Sequence, residues 1–95
     1  MKLPIPIAFE WDKGNIDKNW NKHKLFYKEA EEVFFNRPIK LFSDFKHSKK
    51  ETRYLALGKT NEERYVTIVF TIINSKIRVI SARNQNRKER KIYEQ

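Results

Sequence analysis

The run Tyr65-Val66-Thr67-Ile68-Val69-Phe70-Thr71-Ile72-Ile73, then Asn74-Ser75, then Ile77-Arg78-Val79-Ile80-Ser81-Ala82, decides the fold. The first nine residues are mostly β-branched or aromatic, and such side chains fit a pleated, half-buried surface. They are apolar on both faces, which suits a central strand better than an edge. Asn74-Ser75 is fit for a tight hairpin turn, and Ile77–Ala82 is the returning strand. Upstream, Thr52–Leu57 reads as a further strand, joined to Tyr65 through a turn region at Gly58–Glu63. Together these runs predict a three-strand antiparallel meander.

Outward from the meander, Ile7–Trp11 reads as a short strand or extended arm. Asp12 can cap a helix over Lys13–Lys22 by accepting from its free backbone N–H groups. Ile16 and Trp20, four apart, give that helix a narrow apolar face. Lys18, Lys22 and Lys24 crowd towards its end, where cations complement the helix dipole. A second helix is expected over Tyr27–Phe35, with Phe26, Ala30, Val33 and Phe34 at helical spacing and Glu29, Glu31 and Glu32 facing water. Pro38 limits it, because the residue before a proline is pushed out of the helical region. Ile39–Phe42 reads as a strand, Ser43–Lys50 as a polar, basic loop, and Arg87–Tyr93 as a short charged helix. The expected fold is α+β. It comprises one domain over residues 1–95, a small antiparallel sheet with two N-terminal helices packed on it, and a short C-terminal helix.

Composition narrows the class. There is no cysteine, so neither a disulfide framework nor a thiolate metal site is available. The longest apolar run, Val66–Ile73, is interrupted by Thr67 and Thr71 and is far too short to cross a bilayer. The start of the chain carries Pro4 and Pro6 and no signal-peptide core. A cytoplasmic protein without membrane contact is expected. Lys and Arg total 21 against 12 Asp and Glu, for a net charge of +9 and a pI near 9.9. Such an excess on a small domain attracts polyanions. Nucleic acid is the first candidate, since neutralising phosphates releases counterions; an acidic protein partner is the second.

The chemistry available is restricted. His23 and His47 lie far apart and lack carboxylates at ligand spacing, and no glycine-rich phosphate loop or serine nucleophile motif is present. No metal and no cofactor are expected. An enzyme of this composition must work mainly with Arg, Lys and His, with Tyr or Glu as further candidates. That set suits RNA cleavage, because the 2′-hydroxyl is a built-in nucleophile. The protein has only to move protons and stabilise a phosphorane. A histidine titrating near neutrality moves protons, and guanidinium groups hold phosphate oxygens as their charge grows.

Each candidate has a plainer alternative. Lys22-His23 ends the first helix and can simply complement its dipole. His47 fits a solvated loop. Arg53, Arg78 and Arg83 sit on or beside strands, where they either converge on phosphate or reach water and carboxylates. Strict alternation puts Arg78 and Arg83 on opposite faces. Arg87–Lys91 is a solvated helix face or a polyanion contact, and Trp11 and Trp20 are expected in the core rather than stacked on bases.

The order of segments carries a resemblance. Phe9-Glu10-Trp11-Asp12 is followed by Asn19, Lys22-His23, Glu29-Ala30 and Val33-Phe34. His47, Glu51, Arg53 and Gly58 come next, then Arg78-Val79-Ile80-Ser81-Ala82-Arg83, Glu89-Arg90 and Tyr93-Glu94. In this order they resemble the BrnT family of type II toxins over nearly the whole chain. The resemblance implies a fold like that of the RelE and ParE toxins and a metal-independent ribonuclease that arrests translation and growth. It also implies an antitoxin similar to BrnA, with a ribbon-helix-helix domain through which the complex reaches DNA. Carried over residue by residue, it implies catalytic roles for His23, Arg53 and Arg83. RNA contacts fall to Lys22, Arg78 and, more weakly, Tyr93. A non-catalytic basic binding module with the same fold is the alternative. The chain departs from the family at two places: Lys24 stands where glycine usually follows the Lys-His pair, and Tyr27 stands where serine often precedes the second helix.

Overall fold

Strand β4 (Tyr65–Ile73) runs through the middle of a five-stranded sheet, with the bounds its sequence predicts. In the computed structural model, which describes residues 2–44 and 51–95, the chain order is β1 (Phe9–Glu10), α1 (Lys13–His23), α2 (Tyr27–Val33), β2 (Lys40–Ser43) and β3 (Tyr54–Lys59). Then come β4, β5 (Lys76–Asn84) and α3 (Arg87–Tyr93). The sheet order is β1-β5-β4-β3-β2. Asn74 and Ser75 both take positive φ, 52° and 62°, the backbone a two-residue hairpin needs to match strand twist.

The sheet is mixed, which corrects the expected antiparallel one. β2 to β5 are antiparallel, but β1 joins β5 in parallel, with Phe9 opposite Ile77 and Glu10 opposite Arg78. A strand of two residues carries too little pattern to declare its direction.

The core lies between one face of the sheet and helices α1 and α2. Leu25, Ala30, Val33 and Phe34 pack there against Ala56, Val66, Ile68, Phe70, Ile77, Val79 and Ala82, all without solvent exposure. Phe34 meets Phe70 edge-on at 5.2 Å and Phe9 at 5.6 Å. Gly58 lets α2 approach β3 closely: a Cβ there would stand 2.6 Å from Val33 Cγ1.

Helix α1 seats differently from its predicted amphipathic face. Beyond Arg78, β1 no longer covers the edge of β5, and two asparagines one helical turn apart take its place. Asn15 Nδ2 donates to the Val79 carbonyl and Asn19 Oδ1 accepts from the Ala82 N–H, both at 3.2 Å. Asn19 is buried, whereas Trp20 is 48% exposed with Lys24 over its ring. The Ile16–Trp20 stripe is therefore not the buried face, and Trp20 is not a core residue. Trp11 is half-buried, donating to Glu31 at 2.8 Å.

A one-residue irregularity in β5 changes which side chains share a face. Val69 pairs with Ser81 and Phe70 with Val79, so Ile80 has no opposite number. Such a bulge resets the alternation. Val79 and Ala82 both enter the core, while Arg78, Ser81 and Arg83 all fall on the face away from α1 and α2. The expected opposition of Arg78 and Arg83 is thereby corrected.

Helix α3 covers one end of that second face. Tyr93 is 5% exposed, meets Tyr65 at 5.8 Å and donates its hydroxyl to the Pro38 carbonyl at 2.7 Å. Arg90 lies 3.5 Å above the Tyr65 ring. Lys40 closes the helix by donating to the carbonyls of Ile92 (2.6 Å) and Gln95 (2.9 Å), a cation at a C-terminus that complements the dipole.

Candidate functional site

The rest of the second face is open, and its register sorts the side chains into three rows. Leu55, Val69 and Ser81 lie opposite one another across β3, β4 and β5, with Phe42 of β2 beyond Leu55. They make a mainly apolar middle. On one side, Thr71 and Arg78 are opposed, and Arg53, one residue ahead of β3, extends that row. On the other side Leu57, Thr67 and Arg83 are opposed. An open hollow of about 340 Å³ is lined by Lys18, Asp44, Arg53, Leu55, Val69, Ile80, Ser81 and Arg83. Arg53 and Arg83 thus stand at opposite ends of one surface, and α1, seated on the edge of β5, brings Lys18 to its rim.

Each cation has defined surroundings. The Arg53 carbonyl accepts from the Asp44 N–H at 2.8 Å, which ties the end of β2 to the start of β3. Arg78 lies 3.5 Å from Asp12, the residue whose side chain caps α1 by accepting from Gly14 N–H. Arg83 forms a two-pronged ion pair with Glu89 of α3: Nη1 to Oε1 at 2.7 Å and Nη2 to Oε2 at 2.8 Å. Glu89 also accepts from the Thr67 hydroxyl at 2.8 Å and from the Asn86 N–H at 2.9 Å, completing a capping box with Asn86. Burial pushes the Glu89 carboxyl up, but the hydrogen bonds from Arg83, Asn86 and Thr67 outweigh it and bring the pKa down to about 2. Glu89 is therefore a fixed anion, and it reciprocally raises the pKa of Arg83.

His23 is the last residue of α1, half-buried near Arg83. Burial lowers its pKa below 6.5, and the positive charges of Lys22, Arg83, Lys18 and Arg64 lower it further. Both effects favour the neutral imidazole, the form that can accept a proton. Lys22 is exposed on the same turn. Lys24 ends the helix in the left-handed conformation, φ 52°, so the backbone shape expected of the family's glycine is kept by a lysine. The carbonyls of His23 and Lys24 both accept from Arg64 at 2.8 Å.

The structure puts Arg83 at one end of the open face and Arg53 and Arg78 at the other, with Lys18 on its rim and His23, at the end of α1, within electrostatic reach of Lys18 and Arg83. Tyr93, expected to contact RNA, lies 5% exposed with its ring against Tyr65 and its hydroxyl on the Pro38 carbonyl. His47 lies outside the described residues. The sequence reading missed Lys18, Arg64 and the pairing of Glu89. Asn86-x-x-Glu89 is a capping-box spacing and could have flagged Glu89; nothing in the pattern around Arg64 marks it. Among the described residues, no group of three or more His, Asp or Glu could hold a metal ion, and no helix is long and apolar enough to cross a membrane.

The chain is thus a basic α+β domain with an open sheet face edged by arginines. Residues 11–89 match the family model of the ribonuclease toxin BrnT of type II toxin-antitoxin systems, and the chain belongs to that family. Its fold is similar to that in the 1.1 Å crystal structure of the Brucella abortus ribonuclease toxin BrnT. The two chains are 24% identical with a TM-score of 0.65, over 85% of this chain and 99% of that one. A search of the curated proteins gives no match.

Proposed function

We propose that this chain cleaves RNA without a metal ion, using the open sheet face as its substrate surface. The observation that carries this is a hollow lined by Lys18, Arg53 and Arg83, with His23 close enough to Lys18 and Arg83 to feel their charges. His23 takes the proton of the 2′-hydroxyl. The 2′-oxygen attacks phosphorus, the bond to the 5′-oxygen breaks, and a 2′,3′-cyclic phosphate and a 5′-hydroxyl result once a proton reaches the leaving oxygen. Arg53 and Arg83 stabilise the extra charge on the phosphorane, where preorganised donors have most effect. Glu89 engages one N–H of each terminal nitrogen of Arg83 and leaves Nε free of it. Lys22 and Arg78 hold flanking phosphates, and the apolar middle row receives bases.

The protein would act in the cytoplasm, stop translation and growth, and share the RelE and ParE architecture. Its inhibitor would be a BrnA-like ribbon-helix-helix antitoxin that covers the same basic face and alone contacts DNA. The test is cleavage of a defined RNA in EDTA, with and without that antitoxin. Cleavage that persists in EDTA and stops with antitoxin is the expected result. A second reading, a basic binding module without catalysis, is favoured by one observation: Arg83 is already neutralised by Glu89. RNA binding without cleavage would select it.

A further inference from the structure

Helix α1 ends in a way that needs outside support. A helix terminus leaves its last carbonyls without intrahelical partners. Here the terminating residue, Lys24, sits at φ 52°, left-handed backbone that a non-glycine residue adopts only under strain. Among the described residues no backbone N–H reaches the carbonyls of His23 or Lys24. Both are met by one side chain. Arg64, just ahead of β4, donates from Nη2 to His23 and from Nη1 to Lys24, each at 2.8 Å. Its Nε donates to Asn84 Oδ1 at 2.7 Å, and Asn84 directly follows Arg83. Nη1 also lies 3.7 Å from Glu29 of α2. One planar guanidinium therefore joins the end of α1, the start of α2 and the end of β5.

We propose that Arg64 is the positioning residue of this site, clamping the last turn of α1 so that the His23 imidazole is held in register with Arg83. The proposal rests on the reading of His23 as proton carrier. His23 is the final helical residue, so the direction of its side chain follows the geometry of this one turn. A frayed turn would displace the imidazole by about an ångström, enough to cost on the order of 100-fold in rate. A lysine cannot replace the clamp. Its ammonium is a point charge on a flexible stem, whereas the rigid fork of arginine meets two carbonyls and an amide oxygen together. The cations facing His23 are Lys18 and Lys22 from α1, Arg64 from the start of β4 and Arg83 from β5. Arg64→Lys keeps that count of charges and separates geometry from electrostatics.

The experiment compares wild type, Arg64→Lys and the milder Asn84→Ala. It reads amide hydrogen exchange at Lys24 and Leu25, the NMR titration of His23, and kcat and KM on a defined RNA. Both amides bond back into α1, Lys24 to the Trp20 carbonyl and Leu25 to that of Asn19, so they report the last turn directly. In Arg64→Lys, exchange at these two amides is expected to quicken at least tenfold while that of Ile68 in β4 does not change. There kcat should fall about 10- to 100-fold with KM within threefold, and the His23 midpoint should stay close to wild type. Asn84→Ala should move exchange and kcat the same way by less. Wild-type exchange at Lys24 and Leu25 in Arg64→Lys, with kcat undiminished, would overturn the clamp and leave the ribonuclease reading intact. Quickened exchange in a protein whose wild type never cleaves RNA would uphold the clamp on α1 and sink the ribonuclease reading instead.

Discussion

The two faces of the sheet are built on different terms. The face under α1 and α2 is held by apolar contact: eleven residues pack there without solvent exposure. The opposite face is divided. Under α3 it is closed by polar pairings, Arg83–Glu89, Thr67–Glu89, Tyr93–Pro38 and Lys40 on the helix end. Beyond α3 it is open, apolar in the middle and basic at both ends. The closed apolar face makes the fold and offers no chemistry. The open one carries the candidate arginines Arg53, Arg78 and Arg83, with His23 at the end of α1 beside it.

Substitutions can break or sharpen this contrast. The largest stability loss belongs to the apolar face: Phe34→Ala should cost about 3–5 kcal/mol, read as a fall in the denaturant midpoint. A loss below about 1 kcal/mol would mean that α2 does not carry the core. On the polar face, Glu89→Gln should cost on the order of 2 kcal/mol near neutrality, after discounting its pKa shift for partial solvent contact. The sign is fixed by the folded pKa of about 2 against an ordinary 4.5. The stabilisation is fully present above about pH 4.5 and is lost as pH falls towards 2, so the gap between wild type and variant should close over that window. A gap independent of pH would contradict the assignment. Gly58→Ala, which drives a methyl into Val33, should destabilise by about 1–3 kcal/mol without changing RNA affinity. The smallest effect is a gain: Lys24→Gly should stabilise by about 1 kcal/mol, because glycine takes φ 52° without a Cβ penalty. Destabilisation by that change would mean that the contact of Lys24 with Trp20 outweighs the backbone cost.

The same division explains what the sequence disclosed. β4 and α3 were legible to the residue, since a long β-branched run and a dense charged run leave no competing pattern. The two positive φ values at Asn74-Ser75 follow from residues suited to them. Relations across the chain were not legible. The two residues of β1 hold no signal of direction, and the unopposed Ile80 that puts Arg78 and Arg83 on one face has no mark in composition. The burial of Asn19 in preference to Trp20 depends on an uncovered strand edge, which a helical pattern does not reveal. His23, Arg53, Arg78 and Arg83 were singled out by residue type and family resemblance. The carboxylate that holds Arg83, and the arginine that holds the backbone of His23, came only with the structure.

On the proposed reading His23, whose pKa is lowered by burial and surrounding cations, moves the proton in metal-free RNA cleavage. The most direct measurement is the rate of cleavage of a defined RNA in EDTA, by wild type and His23→Ala, between pH 5 and 8. Wild type should cleave and gain activity through a midpoint below 6.5, since the active imidazole is the unprotonated one. His23→Ala should lose about 100-fold or more while unfolding at the wild-type denaturant concentration. A His23→Ala protein that cleaves at the wild-type rate with the same pH profile would contradict that reading.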